Sequence, residues 1–415
     1  MALTTEQTKL VMATAPILQE HGEQITTAFY KNLLHDHPEL NNYFNTANQQ
    51  NGRQARALAG AVLSFAANID NMSELTPKVE RMCNKHSSLG VQPEHYPIVG
   101  EHLIRAFGEV LGSALTPELV EAWGKAYGLL ANILIGREAQ LYKDFEEWTS
   151  WRNFKVDKVV PENENIFSFY LVPEDGKKLP KFLPGQYISV QVQGPDGYKQ
   201  ARQYSLSDAW REDYYRISVR RDEGLPDPNA GSQSSSSHPG LVSNLLIDQL
   251  GAGSIVGVSH PAGDFFVNGD SPSNIPLVLI SAGVGFTPLL AIANTVTAAQ
   301  AERPISWIHV SRRTVPFEDH ITELRKTNPK FRTIVFKTDP GDVNGSATHD
   351  HHGRLDLAKV DPADLHLQNS GAEYYICGPE QFMGETSEYL KAQGVGAERI
   401  KLEIFNTGDL EWKRA

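Results

Sequence analysis

Three different patterns of hydrophobic and polar positions follow one another along this chain. Residues 1 to about 148 place apolar residues three and four apart and show no strand-like alternation, which predicts an all-α region. Prolines stand where helices are expected to begin, at Pro77, Pro97 and Pro117. From about Trp151 the pattern changes to short β-rich runs, which predict an antiparallel barrel or sandwich: "FSFYLV", "QYISVQV" and "YYRISVRR".

A third pattern begins near Ile275, where strand-like and helix-like segments alternate. "LVLISAG", "TPLLAIANTVTAA" and "SWIHVS" show the βαβ order that is typical of a parallel sheet with helices on both faces. We therefore predict a multidomain chain with boundaries at residues 1–148, 151–268 and 272–415. Inside the second domain, the Pro- and Ser-rich residues 225–240 predict a mobile loop, because they cannot bury much of their surface.

Composition and charge argue against several classes of protein. The 415 residues are 40% hydrophobic and 21% charged, which is an ordinary globular balance, and the net charge of −12 argues against nucleic-acid binding. The apolar runs are too short for stable membrane insertion, and the start lacks the pattern of a signal peptide. Two cysteines cannot form a disulfide framework, so we expect a cytoplasmic protein, and we expect it to be a monomer.

One histidine stands out in the first domain. The helix before Gly90 has three apolar residues and this histidine on one face: Leu75, Val79, Met82 and His86. A hydrogen-bonded core histidine and a haem ligand both fit this position, because haem needs a single imidazole beside an apolar cavity. A metal site made of side chains would need further ligands at helical spacing. His95 is expected in a loop, and His102 at the edge of the next apolar stripe.

Longer strings around this histidine resemble the globin domain of flavohaemoglobins. The matching strings are "HPEL" followed by "YFN", the histidine of "NKH" roughly thirty residues after Gln54, and "AWGKAYGLLANILIGREAQLY". The resemblance implies that His86 is the axial ligand of the haem iron and that Phe44 lies against the porphyrin. It implies that Tyr30 and Gln54 donate hydrogen bonds to bound O₂, and that Leu58 closes the pocket. "CNKH" lacks the C-x-x-C-H pattern, which indicates a non-covalent haem b.

The same resemblance implies a carboxylate relay behind the histidine. Tyr96 and Glu138 fall where the family has this relay. A carboxylate bonded to the far N–H of an imidazole makes that imidazole a stronger electron donor, which favours O–O chemistry over reversible O₂ carriage. A helix-end tyrosine and a surface acid are the structural alternative for this pair.

The second domain resembles the FAD-binding domain of the ferredoxin–NADP reductase superfamily. The resemblance rests on "PGQYISV" and "RQYSLSD", and "PAGDFF" matches the segment that closes the barrel. Arg202 can pair with a pyrophosphate, Tyr204 can cover the isoalloxazine and Ser205 can bond near its reactive nitrogen. The helix start in "GLVSNLL" offers a second phosphate site. The FAD contacts so implied are Gln186, Tyr187, Arg202, Gln203, Tyr204, Ser205, Val242 and Ser243, with Lys85, Glu403, Ile404, Phe405 and Asn406 from outside this domain.

A glycine-containing turn marks the nucleotide site of the third domain. "SAGVGFTP" lies between a predicted strand and helix, and "YYICGPEQF" follows later; the turn alone is a weak signal because proline replaces the last glycine of the dinucleotide fingerprint. The implied NADH or NADPH contacts are Gly283, Val284, Gly285, Phe286, Thr287, Pro288 and Cys377. The arginines of "SRRT" suit a 2′-phosphate, but a solvated basic turn explains them equally well. Residues 348–354, "THDHHGR", predict a polar loop rather than a metal site.

The resemblance covers nearly the whole chain and implies a nitric oxide dioxygenase. In that reading NAD(P)H reduces FAD, FAD reduces haem one electron at a time, and haem-bound O₂ oxidises NO to nitrate. One departure is Asn406–Thr407, where the family commonly has Gly-Pro. Two other functions stay open on the residues alone: an O₂ or NO sensor or store, and a general flavin reductase with a secondary haem.

Overall fold

The computed structural model describes residues 3–145, 148–226, 236–237, 239–268, 272–339 and 350–406. Helices, then an antiparallel sheet, then a parallel sheet follow one another in this order, which confirms the predicted fold class. Most of the predicted loop at residues 225–240 and the first two residues of "THDHHGR" lie outside the described residues. None of the helices within the described ranges is both long and apolar enough to cross a membrane.

Seven α-helices form the first region within the described residues 3–145. Their bounds are α1 Thr5–Met12, α2 Ala15–Asp36, α3 Thr46–Gln50, α4 Arg53–Ala67, α5 Thr76–Ser88, α6 His95–Leu111 and α7 Pro117–Asp144. The Thr116 hydroxyl accepts a hydrogen bond from the Leu119 amide, and Pro117 takes the first helical position, so this helix begins where the sequence predicts. The prediction that His95 lies in a loop is wrong, because His95 is the first residue of α6 and its Nδ1 accepts from the Gln92 amide at 3.0 Å.

Six antiparallel strands form the second region. They are β1 Arg152–Pro161, β2 Ile166–Pro173, β3 Tyr187–Gln193, β4 Lys199–Ser205, β5 Tyr215–Arg220 and β8 Ile255–Val258. Two two-residue strands pair outside this sheet, β6 Leu225–Pro226 and β7 Ser236–Ser237, and helix α8 spans Leu241–Gln249. The sheet order is β4-β3-β8-β1-β2-β5. A bridge between Leu206 and Ile217 joins the two edges of the sheet, which therefore closes into a barrel.

The third region is a six-stranded sheet whose neighbouring strands are all parallel. Its strands are β9 Leu277–Ala282, β10 Ile305–Ser311, β11 Phe331–Lys337, β12 His351–His352, β13 Glu373–Cys377 and β14 Ile400–Glu403. Its helices are α9 Phe286–Ala299, α10 Glu318–Thr327, α11 Pro362–Leu365 and α12 Glu380–Ala392. The order β12-β11-β10-β9-β13-β14 places β9 between strands that lead to opposite edges. The carboxyl end of β9 is therefore the switch point at which such sheets bind nucleotides.

The junction between the helices and the barrel is held by neutral amide side chains. Four amides bond across it: Asn42, Asn45, Asn84 and Gln200. The Asn84 Oδ1 accepts from the Gly263 amide at 2.8 Å, and the Gln200 Oε1 accepts from the Thr46 amide at 3.2 Å. Asn84 lies two residues before His86, so the helix that carries this histidine is anchored directly on the barrel.

Candidate functional sites

The best-defined polar site lies where α5, α6 and α7 meet. The Nδ1 of His86 is 2.9 Å from the Glu138 Oε1 and 3.2 Å from the Tyr96 hydroxyl. The Tyr96 hydroxyl also lies 2.6 Å from the same carboxylate oxygen. Glu138 is 3% exposed, so it is not the surface acid that the alternative reading describes. The three side chains come from three helices, and the sequence brings them together only through the packing of those helices.

Proton positions in this site follow from the chemistry of the three groups. Burial, reinforced by the Glu138 carboxylate, raises the pKa of Tyr96 well above its usual value, so Tyr96 keeps its proton and donates it to Glu138. The Nδ1 of His86 faces the same carboxylate and carries a proton too, which leaves a lone pair on Nε2 of the neutral ring. Nε2 has no hydrogen-bond partner among the described residues. This is the donor set that an axial haem ligand requires.

A second polar group lies on α2 and α4. The Gln54 Nε2 donates to the Tyr30 hydroxyl at 3.3 Å, and the ring of Tyr30 meets the ring of Phe44 edge-on at 5.3 Å. Burial raises the pKa of Tyr30 to about 12, against the opposite effect of the Gln54 bond, so the hydroxyl stays protonated. Since Gln54 donates to the tyrosine oxygen, the proton of Tyr30 is available to another acceptor. Phe44 and Leu58 pack against the same hydrophobic core as Tyr30.

The predicted FAD residues of strand β4 follow one another along an edge strand of the sheet, so their side chains point alternately to its two sides. Ser205 is buried and its Oγ has no hydrogen-bond partner among the described residues, which is unusual because buried hydroxyls nearly always find one. The Gln203 Nε2 donates to the Ser189 Oγ at 3.0 Å. Burial raises the pKa of Tyr204. Arg202 bonds to the Asn45 Oδ1 at 2.7 Å, so in this structure its guanidinium contacts the helical region.

Partly buried ionisable groups lie near these residues and near the neighbouring strand β3, and we call the whole set the flavin face. Burial, followed by the charge of Arg202, lowers the pKa of Lys85 to about 8. Burial, followed by the charge of Asp264, raises the pKa of the Glu403 carboxyl to about 8. Burial and then Glu403 raise the pKa of Tyr187 above its usual range. Removal of these groups from water shifts their pKa values, and shifted pKa values are typical of sites that bind a charged ligand.

The remaining predicted FAD residues are more scattered. Gln186 and Val242 are buried, and the Gln186 Oε1 accepts from the Leu183 amide at 2.9 Å. The Ser243 hydroxyl bonds to the Gly240 carbonyl at 3.4 Å, at the start of α8. The tail after β14 has a half-buried side chain followed by two exposed ones: Ile404, Phe405 and Asn406.

The predicted nucleotide turn lies at the carboxyl end of β9, as the fold requires. Gly283 has φ +55°, a left-handed conformation that favours glycine, and a Cβ on Gly285 would overlap the carbonyl oxygen of Cys377. The turn and the end of β13 are therefore in direct contact. The turn leads into α9, whose first three residues are all buried: Phe286, Thr287 and Pro288. The Thr287 hydroxyl bonds back to the Val284 carbonyl at 3.0 Å.

The structure also places two other predicted features, the arginines of "SRRT" and the segment "THDHHGR". The side chains of Arg312 and Arg313 are exposed, and both pair with Asp339. In the described part of "THDHHGR", His351 and His352 form strand β12. No group of three or more His, Cys, Asp or Glu residues within the described ranges could hold a metal ion.

Three further neighbours of these sites are not among the predicted site residues. Asp264 faces Glu403, and its charge helps to raise the pKa of that carboxyl. The guanidinium of Arg220 approaches Gly283, 3.9 Å from the position of a Cβ there. The Ser189 hydroxyl donates to that of Ser88 at 3.0 Å across the junction. Each contact joins residues from different elements, so only the tertiary structure can find it.

The fold and these sites define the class of protein: a helical globin joined to a barrel and an NAD-binding sheet, which together make an NAD(P)H-dependent oxidoreductase. The globin family model matches residues 27–134, and the model for the oxidoreductase NAD-binding domain matches residues 279–388. A flavohemoprotein of Bordetella parapertussis is 43% identical over 98% of this chain and 99% of its own length. One of Bacillus subtilis is 39% identical over 97% of both chains. The chain belongs to the flavohemoprotein family.

Solved structures agree with this assignment. A flavohemoglobin from Malassezia yamatoensis, determined with bound FAD and heme, superposes with a TM-score of 0.84 at 30% identity and covers 97% of this chain and 100% of its own. The FAD/NAD-binding domain of a nitric oxide dioxygenase from Vibrio cholerae gives a TM-score of 0.52 at 33% identity, covering 61% of this chain and 98% of its own.

Proposed function

We propose that this chain is an NAD(P)H-dependent nitric oxide dioxygenase that uses haem b and FAD. When bound, these cofactors divide the electron pair of NAD(P)H into single electrons and supply the redox centre at which O₂ converts NO to nitrate. The observation that carries the proposal is the His86 site, where a buried carboxylate and a tyrosine occupy Nδ1 and leave Nε2 for iron. Such a ligand donates electrons strongly, which suits oxygen chemistry better than reversible storage.

Two groups of residues have separate tasks in this proposal. His86 would hold the iron through Nε2, and Glu138 and Tyr96 would fix its tautomer and ring orientation. The Tyr30 hydroxyl, which accepts a hydrogen bond from Gln54, would donate to an oxygen-containing ligand together with the Gln54 amide. Phe44 and Leu58 are the apolar walls.

The flavin face is assigned from one buried hydroxyl and from the basic side chains near it. The Ser205 hydroxyl has no partner among the described residues, so a polar atom of FAD is its natural acceptor or donor. Arg202 and Lys85 supply positive charge for the pyrophosphate. Further along the chain, the turn from Gly283 to Gly285 lets the pyrophosphate of NAD(P)H approach the backbone at the start of α9. Cys377 borders this turn and is assigned to the nicotinamide end.

The finer points of organisation are also proposals. Domain boundaries at 1–148, 151–268 and 272–415 are supported by the change of element type between Asp144 and Arg152 and again between Val258 and Leu277. Both cysteines, Cys83 and Cys377, are free and buried, which suits a reducing cytoplasm. Size-exclusion chromatography with light scattering and cell fractionation would test the monomer and its location.

Replacing His86 by alanine tests the proposed function. The variant should lose the Soret band and NO consumption, because the only proposed iron ligand is gone. Reduction of ferricyanide by NADH should persist, since the flavin and nucleotide groups are unchanged and act as the internal control. NO consumption that survives in His86→Ala would overturn the dioxygenase proposal and favour a flavin reductase. In the native protein, anaerobic NADH should turn the haem ferrous.

A further inference from the structure

One carboxylate joins the first and third regions of the molecule. The Glu380 Oε1 lies 2.8 Å from the Arg53 Nη2 and also accepts a hydrogen bond from the Asn406 side chain. The side chains of Arg53 and Glu380 are 33% and 16% exposed, so the pair is partly withdrawn from water. Arg53 belongs to the helical region, Glu380 to the nucleotide-binding sheet, and Asn406 to the segment that follows β14. We call Arg53, Glu380 and Asn406 the clip.

The arginine of the clip is adjacent in sequence to a residue of the haem pocket. Arg53 is the first residue of α4, and Gln54, which donates to Tyr30, is the second. The start of this helix is tightly defined, because Gly52 adopts a left-handed φ of +72° and the Asn51 side chain accepts from the Arg53 amide at 3.0 Å. A force on Arg53 therefore acts on the same helical turn that positions the Gln54 amide.

The carboxylate of the clip lies beside the nucleotide site. Glu380 is the first residue of α12 and follows Cys377 by three positions. Gly285 of the nucleotide turn packs so closely on Cys377 and Gly378 that no Cβ fits between them. A nucleotide in this turn must therefore contact or restrain the segment that ends at Glu380.

We propose that Glu380 and Arg53 are positioning residues that couple the nucleotide site to the distal side of the haem pocket. This inference rests on the proposed function for the identity of the two ligands. A nucleotide that restrains the start of α12 holds the ion pair in place, and the ion pair in turn holds the Gln54 amide where it can donate. Coupling of this kind is reciprocal, so each ligand should tighten the binding of the other.

The test uses the oxidised holoenzyme, so that no electrons flow. Cyanide binding to ferric haem is titrated through the Soret band, without and with saturating NAD⁺, and NAD⁺ binding is titrated without and with cyanide. In the native protein NAD⁺ should raise cyanide affinity about two- to fivefold, the ratio that an ion pair of this exposure supports. Cyanide should raise NAD⁺ affinity by the same ratio.

The variants separate coupling from general structure. Glu380→Gln keeps the shape of the side chain and should bring the ratio to one while each ligand still binds. Arg53→Glu should do the same, and the double variant Arg53→Glu/Glu380→Arg, which exchanges the charges, should restore it. Arg56→Glu is the matched control on α4, because Arg56 pairs with Glu23 inside the helical region; it should keep the native ratio.

The inference is overturned if the native ratio is one, if Glu380→Gln keeps the native ratio, or if the charge exchange fails to restore it while both ligands bind. Failure of the proposed function has a different signature, since cyanide would then produce no Soret change in the native protein.

Discussion

The haem-ligand site and the flavin face differ in how far the protein itself supplies hydrogen-bond partners for their polar groups. Around His86 the hydrogen bonds to Nδ1 are supplied by buried protein groups, and the one nitrogen left over is the one that the proposed ligand needs. On the flavin face Ser205 has no partner, and Lys85 and Glu403 have pKa values displaced by burial. In the first site the protein supplies the hydrogen bonds to Nδ1, and these bonds adjust how strongly the remaining nitrogen, Nε2, donates electrons. In the second site the protein leaves polar groups that a large polar ligand can bind.

The largest expected effect comes from removing the charge of Glu138 in the His86 site. Glu138→Gln removes the charge behind His86 but leaves an amide of the same shape, so haem should stay bound while NO consumption falls about 10- to 100-fold. The iron–histidine stretching frequency in the resonance Raman spectrum of the ferrous protein should fall, because the imidazole becomes a weaker donor. Glu121→Gln, on the exposed face of the same helix, is the control and should change neither. An unchanged stretching frequency in Glu138→Gln would contradict the tuning role.

On the flavin face, loss of the Ser205 hydroxyl should raise the thermal midpoint but slow the reduction of the flavin. Ser205→Ala removes a buried group that has no partner in the protein, so the thermal midpoint of the flavin-free protein should rise by about 2–4 °C. Flavin reduction by NADH, followed by stopped flow, should slow about tenfold, because the bond to the cofactor is lost.

Ser207→Ala is the matched variant for Ser205→Ala, because it removes a hydroxyl that has hydrogen-bond partners. The Ser207 hydroxyl lies 2.9 Å from the Ser218 hydroxyl and accepts from Arg216, so its removal should lower the thermal midpoint. If both serine variants lower the midpoint alike, the contrast between an open and a satisfied hydroxyl is wrong.

The smallest effect concerns the pH dependence of stability. The Glu403 carboxyl titrates near pH 4.5 in an unfolded chain but near pH 8 in the fold, so between these values the folded state binds more protons and loses stability as the pH rises. Glu403→Gln is neutral throughout and should flatten this slope. Thermal midpoints of the flavin-free protein, measured from pH 5 to 8, should change by about 2–4 °C less in the variant. Parallel curves for the two proteins would show that Glu403 is ionised across this range.

The sequence predicts the order of elements well, because each region has its own local signal. Thr116 and Pro117 mark the start of α7, and the strand before Gly283 ends where the turn begins. Contacts between elements are harder to predict. Nothing near Ser205 in the sequence shows that its hydroxyl lacks a partner, and nothing near Arg53 points to Glu380, which lies 327 positions away. The prediction for His95 is wrong because the start of α6 includes a hydrogen bond from the Gln92 amide to the His95 Nδ1, which the hydrophobic pattern does not indicate.

The amide-rich junction between helices and barrel has a consequence for how electrons cross it. Electron-transfer partners that meet by diffusion commonly rely on opposite charges, and added salt slows them because it screens those charges. Here Asn42, Asn84 and Gln200 hold the two regions together through neutral hydrogen bonds. Passage of electrons from the barrel to the globin should therefore depend little on ionic strength.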